Sequence, residues 1–149
     1  MKIERLRTPK AKWLPRLLEL EREAFGDGAL NEWNLVPMIR HGCVHVALQD
    51  DEIVGLVEYM RDWEKPERAY MVGVSVAQAL RGQGLGSALL RASLSELKQS
   101  GVTEVELTVD PSNQAAIRVY REKLGFVEQE MRRGEYGSAE DRLVMTVIL

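Results

Sequence analysis

Hydrophobic and polar positions along the 149-residue chain change period several times, and each change marks an element. Residues 2–7 alternate as a short strand, which Thr8-Pro9 breaks. Trp13, Leu14, Leu17, Leu18, Glu21, Ala24 and Phe25 then recur at helical spacing, an apolar stripe facing a core. Pro15 suits the first turn of that helix, where its missing N–H costs little. Gly26-Asp27-Gly28 stops the helix, and Asn31 is placed to cap a second short one carrying Trp33, Val36 and Ile39, with Pro37 weighing against it. Residues 43–49 and 53–60 read as an antiparallel hairpin turning at Asp50-Asp51-Glu52, and Asp62 to Pro66 turn the chain into a strand over 68–76. A helix with Leu85, Leu89, Leu90, Leu94 and Leu97 ends at Ser100-Gly101, and Val105, Leu107 and Val109 alternate in the next strand. Asp110-Pro111-Ser112-Asn113 opens a helix with Ala116, Ile117, Tyr120 and Leu124 on one face, and residues 126–132 and 142–149 form a final antiparallel pair. The order β-α-α-β-β-β-α-β-α-β-β predicts an α/β fold with a mixed sheet and helices on both faces.

Composition narrows the class. A chain of this length fits one domain, residues 1–149, and buries enough surface to need no disulfide or metal staple. The apolar fraction of 45% and charged fraction of 29% are those of a globular protein, and no apolar stretch approaches a membrane span. Met1 to Leu6 lacks an apolar signal-peptide core, and the single cysteine, Cys43, reads as a small buried hydrophobe. Both point to the reducing cytoplasm. A net charge of −3 argues against nucleic acid as a partner. His41 and His45 are separated by Gly42 and a strand, so no metal is expected. Trp13, Phe25 and Trp33 are expected to serve the core.

The chemistry is concentrated in two places. Val74-Ser75-Val76 ends a strand, and Arg81-Gly82-Gln83-Gly84-Leu85-Gly86-Ser87 leads into the long leucine-bearing helix. Glycines there let backbone approach a ligand closely, and the first N–H groups of the helix suit a phosphate or pyrophosphate. Arg81 adds a fixed positive charge. A Walker A string does not occur, and the dinucleotide fingerprint fails at Ser87 and Leu89, where its third glycine would stand.

Arg81-Gly82-Gln83-Gly84-Leu85-Gly86 resembles the Arg/Gln-x-x-Gly-x-Gly/Ala signature of GCN5-related N-acetyltransferases. Asn113-Gln114-Ala115-Ala116-Ile117-Arg118-Val119-Tyr120, closing on Leu124-Gly125-Phe126, is similar to that family's second conserved block. The resemblance implies the acyl-CoA N-acyltransferase fold, with about seven strands, mostly antiparallel, and a splayed parallel pair made by residues 72–76 and 104–109. It implies acetyl-CoA as co-substrate. Backbone groups of Val74 and Val76 would bond the acyl and pantetheine arm, Arg81, Gly82, Gln83, Gly84, Leu85, Gly86 and Ser87 would wrap the pyrophosphate, and Asn113, which is also a good helix cap, would contact the cofactor arm. Tyr120 resembles the family's general acid, which protonates the departing thiolate.

The general base is open between Glu58, Asp110 and a water chain, because Val72 and Thr108 occupy places where family members often carry glutamate. The segment Met131 to Tyr136 with Glu140 to Met145 resembles the closing hairpin of protein N-terminal acetyltransferases, including the bacterial ribosomal-protein enzymes. Those usually show Tyr-Tyr where Glu135-Tyr136 stand, and commonly glutamate where Thr108 lies. The expected acceptor is therefore a small primary amine, such as an amino acid, polyamine or aminoglycoside-like compound, with a protein or peptide N-terminus as the alternative. A non-catalytic acyl-CoA-binding regulator would keep residues 81–87 but has no need of Tyr120. A monomer or homodimer, without membrane partners, is expected.

Overall fold

The computed structural model describes residues 1–137 and 139–149. The chain forms two compact units, Met1–Met60 with Val72–Ser93, and Arg61–Met71 with Leu94–Leu149. Seven strands make one sheet in the order β1-β2-β3-β4-β5-β7-β6. They are β1 (Lys2–Leu6), β2 (Cys43–Gln49), β3 (Glu52–Arg61), β4 (Arg68–Val76), β5 (Glu104–Val109), β6 (Val127–Arg132) and β7 (Arg142–Ile148). β1 with β2, β2 with β3, β5 with β7 and β6 with β7 are antiparallel. β4 and β5 are parallel, paired over Arg68↔Glu104, Ala69↔Val105 and Tyr70↔Glu106, although β4 runs on to Val76 and β5 to Val109. This is the mixed sheet with one parallel pair expected from the sequence.

In the first unit, helix α1 (Leu14–Phe25) starts with Pro15 in its first turn and buries Leu17, Leu20 and Glu21. Gly26 ends it in a left-handed conformation, φ 56°, with its N–H on the Arg22 carbonyl. Helix α2 (Glu32–His41) is capped by Asn31, whose Oδ1 accepts from the N–H groups of Trp33 and Asn34 at 3.0 and 3.2 Å. Pro37 sits inside α2 and sacrifices one helical bond. Leu35 and Ile39, four residues apart, take the buried face of α2. Trp33 lies two positions before Leu35, on the far side, and is 81% exposed, while Phe25 is 41% exposed. The expectation that Trp33 and Phe25 serve the core is therefore corrected.

Helix α3 (Leu85–Gln99) begins in the first unit. Its start is set by Gly55 on β3, where a Cβ would stand 3.1 Å from Leu85 Cδ2 and 3.2 Å from the Ser75 carbonyl. Any larger residue at 55 would push α3 away from the strands. Tyr59 anchors the same helix through a 2.8 Å bond between its hydroxyl and that of Ser93.

In the second unit, Asn113 caps α4 (Gln114–Arg118), its Oδ1 accepting from Ala116 N–H at 3.2 Å. The sequence predicted one helix through Leu124. Instead α4 passes into a π turn over Val119–Lys123, which ends against Gly125, φ 77°. The expected regular helix thus widens at Tyr120 by a π turn.

Candidate active site

The first unit carries the glycine turn. After β4, a 3-10 turn over Gln78–Leu80 leads into Arg81, whose Nε donates to the Val76 carbonyl at 3.1 Å. Gly82 and Gly84 have φ of 80° and 82°, and a Cβ at either would meet nothing within 4 Å. Glycine is thus required there by backbone conformation and not by crowding. The first helical bond of α3 runs from Ala88 N–H to the Gly84 carbonyl at 3.0 Å. The N–H groups of Leu85, Gly86 and Ser87 therefore precede any intrahelical acceptor. Residues 81–84 are exposed, and Gly86 lies close under Val76, whose Cγ2 would be 3.4 Å from a Cβ there. An exposed run of positive-φ glycines, unspent N–H groups, a helix N-terminus and Arg81 give this turn the chemistry that suits an anion.

Glu58, also in the first unit, is fully buried at 0% exposure, and Glu21 of α1 is 1% exposed. Glu21 Oε2 accepts from Leu30 N–H at 3.1 Å. Neither oxygen of Glu58 has a hydrogen-bond partner among the described residues. Burial first, then the neighbouring Glu21 carboxyl, push the Glu58 carboxyl well above the ordinary carboxylate range. Gly73 makes room beside the pair: a Cβ there would be 3.2 Å from both Glu58 Oε2 and Phe25 Cζ. Glu21 was visible in the sequence only as a charge on an apolar stripe.

Tyr120 lies in the second unit, on the π turn. Its ring stacks at 5.8 Å and 58° on that of Phe126, and its carbonyl accepts from Phe126 N–H at 2.9 Å. Burial raises the Tyr120 phenol above its ordinary value, with Arg142 acting in the opposite direction. The hydroxyl is therefore protonated at neutral pH and able to donate. Asp110, the other sequence candidate for a base, accepts from the N–H and hydroxyl of Ser112 at 2.9 and 2.8 Å. The backbone bond first, then the hydroxyl, lower its pKa, which makes it a poor proton acceptor.

A polar cluster that the sequence did not reveal surrounds Thr108 in the same unit. Thr108 Oγ1 shares a 3.0 Å bond with the Tyr70 hydroxyl and accepts from Arg142 Nε at 3.2 Å. The Thr108 carbonyl accepts from Arg142 Nη2 at 3.0 Å, and the Arg142 guanidinium lies 5.7 Å from the Tyr136 ring centre. Burial, with the Tyr136 phenol adding to it, pushes Tyr70 up to about 12. Tyr70, Thr108 and Arg142 are separated by tens of positions, so no local motif announces the cluster.

The acetyltransferase (GNAT) family model matches residues 11–126. An N-alpha-acetyltransferase of Sulfurisphaera tokodaii is 34% identical over 114 residues, covering 70% of this chain and 68% of that protein. The [ribosomal protein bS18]-alanine N-acetyltransferase of Escherichia coli is 38% identical over 84 residues, 54% of this chain and 56% of that protein. That match spans little more than half the length of the Escherichia coli protein. The crystal structure of the Escherichia coli ribosomal-protein-S18-alanine N-acetyltransferase superposes with a TM-score of 0.82 at 26% identity, covering 99% of this chain and 92% of that one. A Bacillus subtilis acetyltransferase solved in complex with CoA shares the fold, with a TM-score of 0.78 at 18% identity over 99% of this chain and 98% of that one. With the family model spanning most of its length and a relative at 34% identity across its body, the chain belongs to the acetyltransferase (GNAT) family of acyl-CoA-dependent N-acyltransferases.

Proposed function

We propose that this protein transfers the acetyl group of acetyl-CoA to the α-amine at the N-terminus of a polypeptide. The observation that carries the cofactor assignment is the Arg81–Ser87 turn, with exposed backbone at Gly82 and Gly84 before a 15-residue helix. There the diphosphate of acetyl-CoA meets N–H groups and the positive end of α3. Val74 and Val76 offer backbone groups to the acyl arm, and Asn113 offers its side-chain amide N–H, since its Oδ1 is taken by the cap.

The neutral amine nitrogen attacks the thioester carbon, a C–N bond forms, and collapse of the tetrahedral intermediate breaks the C–S bond. Tyr120 gives its proton to the departing thiolate, as its protonated phenol allows. Glu58 is the base we assign to the amine proton, because its pKa is raised while that of Asp110 is lowered, so its ionised form is the stronger proton acceptor of the two. Its full burial means that the proton reaches it through an intervening water beside Gly73 and Phe25.

A polypeptide α-amine is preferred to the small amine suggested by the sequence because the relatives in Sulfurisphaera tokodaii and Escherichia coli, each over a third identical, carry N-alpha- and protein-alanine acetyltransferase names. Coenzyme A thiol release, measured with a panel of free-N-terminus peptides, N-blocked copies, amino acids, a polyamine and an aminoglycoside, tests this. Peptides with free N-termini are expected to turn over fastest, and blocked ones not at all. Fastest turnover of the polyamine or aminoglycoside would overturn the acceptor assignment. Binding of acetyl-CoA with no release for any amine would make the protein a regulator.

A further inference from the structure

Most charged arginines of the second unit are neutralised. Arg68 pairs with Glu104 and Glu106, Arg121 with Glu128, Arg132 with Glu106, Glu130 and Glu135, and Arg133 with Asp141. Arg142 is half-buried and has no carboxylate within salt-bridge distance among the described residues. Asp110 feels its charge, but the Asp110 carboxylate is already committed to Ser112. Two bonds to Thr108, through Nε and Nη2, fix the guanidinium plane and leave the Nη1 donors without an acceptor among the described residues. Beside it stand the hydroxyls of Tyr70 and Tyr136, both tied into the same cluster. The charge of Arg142 is also felt at Tyr120, which places the cluster within electrostatic reach of the phenol assigned to the reaction.

We propose that Arg142, Tyr70 and Tyr136 form a carboxylate-binding subsite that selects acceptors bearing an acidic group next to the amine. A guanidinium held rigid by its neighbours, with donors left over, matches a carboxylate through charge-assisted hydrogen bonds, and two phenols supply further donors around it. Leaving that guanidinium half-buried without an anion is unfavourable, and an acidic acceptor removes the penalty. The carboxylate comes from an aspartate or glutamate near a polypeptide N-terminus, or from the α-carboxylate of a free amino acid. This inference rests on the acetyl-transfer reading above and deepens it.

The test separates the two. Acetylated products serve as equilibrium probes: calorimetric titration compares N-acetyl-glutamyl with N-acetyl-glutaminyl peptides, and N-acetyl-alanine with its amide, in the presence of coenzyme A. At least one acid should bind ten-fold or more tighter than its amide, and which pair shows the preference identifies the source of the carboxylate. Arg142→Gln should bring that ratio to within about two-fold, and Arg142→Lys should restore part of it. Thr108→Glu, which supplies an internal partner to the guanidinium, should abolish the preference as Arg142→Gln does. Coenzyme A binding and circular dichroism verify that each variant is folded. Equal binding of acid and amide to the parent protein overturns the subsite, whatever the turnover. An acid preference without thiol release for any amine leaves the subsite standing and removes the transferase reading instead.

Discussion

Glu58 and Glu21 face one another in the interior of the first unit, 0% and 1% exposed, with no cation paired to either among the described residues. Two carboxyls in that setting cannot both ionise cheaply, and Glu58 is the one whose pKa is raised. The native state thus holds a proton that the unfolded chain releases above the ordinary carboxylate value of about 4.3. Stability is greatest below that value and falls as pH rises through the higher folded one. Urea midpoints of the parent protein should therefore decline between pH 5 and pH 8. Glu58→Gln, which cannot ionise, should flatten that decline. A parent midpoint that rises over this range would contradict the pairing. If Glu58 also takes the amine proton, the same variant lowers the single-turnover rate by at least ~10-fold and removes the acid limb of the pH–rate profile.

Gly84 has φ of 82° and open space where a side chain would go. Gly84→Asp adds a negative charge at the surface assigned to the diphosphate and strains the turn. Acetyl-CoA affinity should fall at least ten-fold, about 1.4 kcal/mol, in calorimetric titration. Unchanged affinity in a folded variant would remove the diphosphate from this turn.

The hairpin between β2 and β3 turns through Asp50 and Asp51, with φ of 52° and 65°. Two left-handed positions in a two-residue turn favour Asn-Gly or Asp-Gly, and an L residue at the second carries a steric cost. Asp51→Gly should raise stability by about 0.5–1 kcal/mol, with activity unaltered. A lower thermal midpoint would contradict this reading of the turn.

How much of this was legible beforehand depended on whether the signal was local. β4 at Arg68–Val76 and β2 at Cys43–Gln49 have the bounds read from the sequence, because turn residues flank β-rich runs. Asn31 and Asn113 cap the helices they were expected to cap, a contact within three residues of chain. Trp33 misled because aromatic bulk suggests burial, whereas the face of α2 is set by Leu35 and Ile39. The π turn at Tyr120 was hidden, since apolar spacing reports a 3.6-residue period and is blind to one wide turn. The loop of residues 81–87 was readable as a string, but the Glu21–Glu58 pair and the Tyr70–Thr108–Arg142 cluster exist only once distant segments meet.

Tyr120 is the residue assigned to supply the proton that lets coenzyme A leave. Tyr120→Phe keeps the ring against Phe126, so packing and acetyl-CoA affinity should be nearly unchanged. A positioned general acid contributes typically ~10²–10⁴-fold, and its loss appears in the transition state and not in the bound cofactor. Single-turnover acetyl transfer, with enzyme in excess over acetyl-CoA and a saturating peptide acceptor, isolates that step from product release. A fall of at least ~30-fold in the variant is the predicted result. A rate within about three-fold of the parent, far short of that range, would contradict the general-acid role and leave Tyr120 as a packing residue on its turn.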